Sequence, residues 1–450
     1  MRDLPGEEAT LVRPEDGGVP PEAGHVQPVR HLGPERLVAI GLNSVIGGGI
    51  FVLPAHAAAL VGPTSLPAYV ATGLLVLGIG LVLGRLAARF ETSGGPYLYI
   101  ERAYGPLAGF QIGWLFWLAR TSAMANLLNG VALYVGALWP AFAAPGPRAA
   151  VIAACAAAVI GLDIAGIRQA ARATDLFAIL KIAPLLVVGT AGLWLVEIPR
   201  LIPQAVDPGS FLRAVLLLVY AFTGFETLTV PVEESKEPRR DLPRALLATI
   251  GAVCGIYLLV HIAALGALAD LATEKAPLAT LADLEFGTGG RLVITFLAGL
   301  SMAGCSLSSL LGGTRMLYAM SSNRRIPAWI GALHPGRRTP MRASFLTGGI
   351  AAIGAILGGY AFLAAISSGN RLLIYAACCL ACLWTPKKAA KAVKPAGGLL
   401  LPAITLLTIL VLLCALEPQE VLFGMIGIGA GWVLSILAGS GRRGMAREES

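Results

Sequence analysis

The chain has 450 residues, of which 56% are apolar and 13% charged, with a formal net charge of +8. Soluble domains carry roughly 25% charged residues, so this composition excludes a globule with an ordinary water-facing surface. The positive balance does not point to nucleic acid, because Lys and Arg form short clusters between apolar runs and no basic face.

Residues 1–30 contain Pro, Gly and Glu, few large apolar side chains and no cleavable signal pattern. They read as a disordered cytoplasmic tail. Apolar runs of about 20 residues, long enough to cross a bilayer as helix, then recur to the C-terminus. Twelve spans are predicted: 37–60, 66–88, 107–138, 148–167, 174–196, 210–232, 242–268, 289–320, 341–361, 363–385, 398–416 and 421–438. The third and eighth exceed the bilayer thickness and must tilt or project from it. The ninth and tenth run together with little to separate them.

An even number of spans puts both termini on one side. On that assignment 25 of the 34 Lys and Arg lie on the terminal side. Only Arg148, Arg200, Arg213, Lys275 and Arg291 lie on the other. Basic residues are retained inside the cell, which predicts cytoplasmic termini.

The first span contains Ile46-Gly47-Gly48-Gly49-Ile50-Phe51. Three glycines in mid-helix cost about 1 kcal/mol each relative to Ala and leave the backbone uncovered. The sixth contains Phe222-Thr223-Gly224-Phe225-Glu226, a glycine beside a carboxylate in an apolar run. Uncovered backbone at membrane depth is tolerated only beside protein or a wet cavity. Two interrupted helices in corresponding positions point to a binding site between inverted repeats. A half-helix N-terminus suits a carboxylate and freed carbonyls suit an ammonium, so such a pair is built for a zwitterion. Close helix packing is the alternative reading of the glycines.

The seven cysteines all fall in apolar runs, so no disulfide framework is expected. Cys378-Cys379-x-x-Cys382 has no nearby His and reads as packing. No metal or cofactor site is predicted.

With these motifs in hand, the chain resembles amino acid permeases of the amino acid–polyamine–organocation superfamily. The resemblance runs from about residue 35 to about 385, and more weakly through the last two spans. It is carried by Gly47-Gly48-Gly49-Ile50-Phe51, Thr92-Ser93-Gly94-Gly95-Pro96-Tyr97 and Ala221-Phe222-Thr223-Gly224-Phe225-Glu226. Further on come Glu233-Glu234-Ser235-Lys236-Glu237-Pro238, Leu242-Pro243, Gly313-Thr314-Arg315, Met320-Ser321 and Ile326-Pro327. It implies an all-α fold of about twelve spans with a five-plus-five inverted-repeat core, residues 31–200 and 201–395. Two peripheral helices follow in 396–438, then a tail in 439–450. It implies that the amides of Gly47, Gly48 and Gly49 bind a substrate carboxylate. Carbonyls near Val45, Ile46, Phe222 and Thr223 would receive the amine, Gly224 would belong to the same substrate-binding set, and Tyr220 would close over the substrate from outside.

Five charges are predicted within spans: Arg120, Lys181, Glu226, Arg315 and Arg371. Intramembrane charges are costly and functional by default. In some relatives a lysine at the position of Lys181 takes the place of a coupling sodium, which implies proton coupling or sodium independence; snorkelling to the surface is the alternative. The acid matching Glu226 is a proposed proton-sensing group in relatives, against a structural acid paired to amides or an internal Arg. Arg315 fits a structural or gating ion pair. Arg371 has no evident partner. Arg120 is open to three readings: pairing with Glu226, facing an acidic substrate, or joining a charge network. His56 and His261 read as packing residues.

Few acids lie deep in the spans, which argues against a cationic substrate and favours a neutral amino acid. A side-chain pocket of Ser122, Met124, Asn126, Ser301 and Cys305 is the expectation. The expected partners are an amino acid, the lipid bilayer and protons, with no nucleic acid; the sequence carries no signal for an oligomeric state. The leading expectation is secondary transport by symport or exchange. Acidic amino acid exchange and polyamine or cationic amino acid transport are the alternatives, with a non-transporting sensor behind them. An enzyme is disfavoured, since the five His show no ligand spacing and no triad-like set is visible.

Overall fold

The computed structural model describes residues 33–90, 95–165, 170–229, 238–334, 337, 339–384 and 398–448. The N-terminal tail, Thr92 to Gly94, Glu233 to Glu237 and the lysines at 387–394 lie outside the described residues. Every regular element among those described is helical. They are α1 (Pro34–Val45), α2 (Gly49–Val61), α3 (Ser65–Phe90), α4 (Gly95–Tyr104), α5 (Pro106–Leu138), α6 (Pro145–Ala165) and α7 (Ala170–Gly192). The second half holds α8 (Pro208–Ala221), α9 (Pro238–Ala267), α10 (Pro277–Ser322), α11 (Ala328–Gly331), α12 (Met341–Leu357), α13 (Tyr360–Trp384), α14 (Leu400–Leu413) and α15 (Pro418–Glu448). Among the described residues seven helical stretches are long and apolar enough to cross a membrane, and four shorter apolar helices accompany them.

Helix ends follow local chemistry. Pro opens α1, α5 and α8 at the first turn, where its missing N–H costs nothing. Asp207 caps α8 by accepting the Ser210 N–H at 2.8 Å. The run predicted as spans nine and ten divides at Gly358-Gly359, a few residues earlier than expected. Gly358 is extended there, and Asn129 of α5 donates to its carbonyl at 2.8 Å. Three α-helical pieces were not expected as elements: α4, α11 and the start of α10. The last is set off by Gly287, whose φ of 67° breaks the helical path.

α5 runs through the middle of the bundle, packed against α6, α10, α12 and α13. α9 packs on α1, α3 and α7, and α8 packs on α2 and α3. α14 and α15 lie at the periphery. Leu407, Phe423 and Ile436 on their outer faces are exposed, as are Leu74, Phe296 and Phe345 elsewhere on the bundle. An apolar belt of this extent is a lipid-facing surface. Arg36, Arg85, Arg102, Arg244 and Arg324 cluster at helix ends on one side, the basic end of the bundle.

Both predicted breaks are present. Helix stops at Val45, Ile46 is extended with ψ 98°, and helix resumes at Gly49. α8 stops at Ala221, and a 3-10 turn at Phe225–Thr229 follows Gly224, whose φ is 115°. The two breaks touch. A Cβ on Gly49 would lie 2.5 Å from Ala221 Cα, and a Cβ on Gly224 would overlap the Ser44 carbonyl oxygen. These glycines therefore serve close packing as well as exposing backbone.

Candidate functional site

A cavity of about 280 Å³ lies between the breaks. Val45, Gly47, Gly48 and Gly49 line it from the first break, and Tyr220, Ala221, Thr223 and Gly224 from the second. α5 contributes Arg120, Ala123 and Leu127, and α10 contributes Gly304, Cys305 and Ser308. Lys181 of α7 and Arg371 of α13 complete the charged lining. The cavity extends from the breaks past Asn43, Thr227 and Leu311, on the side of the basic end.

The first four N–H groups of a helix have no intrahelical acceptor. The start of α2 therefore presents amides and the positive end of a helix dipole to the cavity. The end of α1 presents carbonyls. Lys181 Nζ donates to Asn43 O at 3.3 Å and lies 3.6 Å from Cys305 Sγ, tying α7 to the first break and to α10. Tyr257 of α9 clamps both breaks with one hydroxyl, 3.0 Å from Ala221 O and 3.3 Å from Val45 O.

Two tyrosines stand together beside the breaks, Tyr220 in the cavity lining and Tyr360 behind it. Tyr360 Oη donates to Gly48 O at 3.1 Å, and Tyr220 Oη donates to Ala123 O at 3.3 Å. Their rings meet edge to face with centroids 6.4 Å apart. Tyr360 lines a second recess of about 330 Å³, together with His56, Asn129, Arg148, Glu274 and Lys275. Tyr360 thus stands between that recess and the Gly48 carbonyl at the edge of the cavity.

Below the second break, Glu226 forms a buried ion pair with Arg371, and its other oxygen accepts the Gly224 N–H at 2.8 Å. Arg120 lies within electrostatic range of both members of that pair. Its guanidinium sits over the Phe116 ring at 5.0 Å, its Nε has no hydrogen-bond acceptor, and no ion pair reaches it among the described residues.

Several predicted site residues lie elsewhere. Ile46 and Phe222 are fully buried and do not line the cavity; Phe222 packs on Tyr257 instead. Of the expected side-chain pocket only Cys305 reaches the cavity. Ser122 bonds back to Leu118 O at 2.6 Å, while Met124, Asn126 and Ser301 are buried behind the lining. Residues two apart cannot share a helix face, whereas Arg120, Ala123 and Leu127 follow the three- and four-residue spacing of one. Arg315 is exposed on α10, away from the cavity, and makes no ion pair among the described residues. Tyr257 and Tyr360 were missed; each is a lone Tyr in an apolar stretch with no local sign of its target.

Comparison with known proteins bears on the same region. Residues 32–434, nearly all of the described chain, match the family described as "Amino acid permease". An uncharacterized transporter of Mycobacterium tuberculosis is 31% identical over 328 residues, covering 72% of this chain and 73% of the relative. The branched-chain amino acid permease BcaP of Bacillus subtilis is 27% identical over 346 residues, 72% of this chain and 74% of its own. The serine/threonine exchanger SteT of Bacillus subtilis is 28% identical over 317 residues, 66% of this chain and 70% of its own. The family match over both breaks, with relatives that are transporters, makes this a multi-pass membrane transport protein and not an enzyme: the chain belongs to the amino acid permease family.

Proposed function

We propose that this protein is a secondary transporter that carries amino acids across the cytoplasmic membrane by alternating access, with cytoplasmic termini, coupled to protons and independent of sodium. The observation that carries this reading is the single cavity bounded by both helix breaks, with the Lys181 ammonium on a carbonyl of the first. The substrate carboxylate sits on the amides at the start of α2. Its ammonium sits among the carbonyls of Val45 and Thr223, with the Val45 oxygen shared with Tyr257. Lys181 occupies a carbonyl site that a monovalent cation would otherwise fill. Lys181 is the proposed proton-coupling residue because its ammonium ties α7 to α1 and α10. Glu226, held by a guanidinium and an amide, acts as a structural partner of Arg371 rather than as the proton carrier. The bundle then rocks about the filled site, Tyr220 and Tyr360 part, and the second recess becomes continuous with the cavity.

The test is uptake of labelled amino acids by proteoliposomes holding the full chain, with an imposed proton gradient, with sodium replaced by choline, and with preloaded lumens. Uptake should respond to the proton gradient and ignore sodium. Lys181→Ala should exchange substrate but lose its response to the gradient. Absence of uptake or exchange of every amino acid tested would remove the proposal. An unchanged gradient response in the variant would remove only the role of Lys181.

A further inference from the structure

The charges around the cavity do not balance. Among the described residues Glu226 is the carboxylate within reach of both guanidiniums, and it pairs with Arg371. That leaves Arg120 uncompensated on the cavity wall, with Lys181 as a further cation 3.3 Å from Asn43 O and no carboxylate paired to it among the described residues. A guanidinium keeps its charge, so among the described residues an empty cavity, or one holding a neutral zwitterion, leaves Arg120 as a permanent positive charge without a counter-ion of its own.

The wall is shaped for that guanidinium. α10 has Gly312 opposite it, and a Cβ there would lie 3.2 Å from Arg120 Nε. Phe116 supports its face at 5.0 Å, and Nε is buried with no acceptor. The group is thus placed but not satisfied. Arg120 is also distinct from the amides at the start of α2 that take the α-carboxylate in the proposed function. An amino acid held at the breaks has its side chain left to meet the wall formed by α5 and α10.

From this we infer that the substrate is an acidic amino acid, whose side-chain carboxylate is received by Arg120. The inference rests on the proposed function and adds the side-chain class. The scarcity of acids that argues against a cationic substrate holds equally here. What the sequence did not reveal is that Arg120 faces the cavity while Arg371 takes up the charge of Glu226. A neutral side chain would leave Arg120 bare, and a cationic one would add repulsion. A carboxylate completes a charge-assisted, bidentate pair, for which a guanidinium is the suited donor.

The test compares isosteres that differ by one charge. In proteoliposomes of the full chain, unlabelled glutamate and glutamine, and aspartate and asparagine, compete against whichever labelled amino acid is taken up best. Each acid should compete at a concentration about 10- to 100-fold below that of its amide, as one charged hydrogen-bonded contact implies. Arg120→Gln should shrink that ratio to about twofold, the loss falling on the acid. If that variant does not fold, the wild-type comparison decides alone. Amides that compete as well as the acids would overturn the acidic assignment and leave amino acid transport standing. No uptake of any amino acid would overturn the transport reading itself, and this inference with it.

Discussion

Gly49 and Gly48 are neighbours in sequence but face different surroundings. A methyl on Gly48 meets Leu127 Cδ2, at 2.6 Å, and Met302 Cγ, at 3.2 Å, both on flexible side chains. A methyl on Gly49 meets the backbone of Ala221, which cannot move without dragging α8. Gly49→Ala should therefore destabilise by about 1–3 kcal/mol, the usual range for overpacking, and Gly48→Ala by less. Thermal unfolding of the two purified variants side by side checks the order; equal midpoints would contradict the close approach of the breaks. Glycine as a residue type was readable from the chain. Which glycine carries the contact was not, since the partner atoms lie more than 170 residues away. The same holds for the expected polar pocket on α5. Choosing Ser122, Met124 and Asn126 picked out polar and flexible residues by type, while the cavity takes Arg120, Ala123 and Leu127 by their angle around the helix.

At the scale of elements, the Glu226–Arg371 pair fastens the 3-10 turn after the second break to α13, across 145 residues of sequence. Both side chains are at least 96% buried. Removing one member of such a pair strands a charge and costs about 3–5 kcal/mol, whereas removing both can be far less damaging. Glu226→Gln and Arg371→Met should each lower stability sharply. The double variant should be more stable than either. A thermal-stability cycle over the four proteins reads this directly, and strictly additive losses would mean the two residues act separately. The existence of both broken elements was legible, because glycine runs and a carboxylate in an apolar stretch are local signals. The tie between them was not: Tyr257 holds the carbonyls of Val45 and Ala221 together, and nothing in its own helix announces that task.

For the whole molecule, the cavity lies toward the basic end, with Tyr220 in its lining and Tyr360 in that of the other recess. Cys305 lines that cavity, so it reports on access. In a variant retaining Cys305 and lacking the other six cysteines, a membrane-impermeant thiol reagent should react from the basic side. It should react far more slowly from the opposite side, and bound substrate should protect. Tyr360→Ala should raise the rate from the opposite side. Equal reaction from both sides in the presence of Tyr360 would contradict closure of the cavity on that side.

The sequence alone determined the membrane class, most of the helices, both interruptions and the lopsided distribution of Lys and Arg. Each is a property of a short stretch of chain: apolar length, backbone freedom at glycine, or charge between runs. The tertiary structure decided which face of each helix meets the cavity, which cation keeps its charge uncompensated, and which tyrosines close the site. Lipid is as apolar as the packed interior, so an apolar helix bears little mark of which side it turns inward. Only the assembled bundle, bringing distant helices within hydrogen-bond reach, selects those residues.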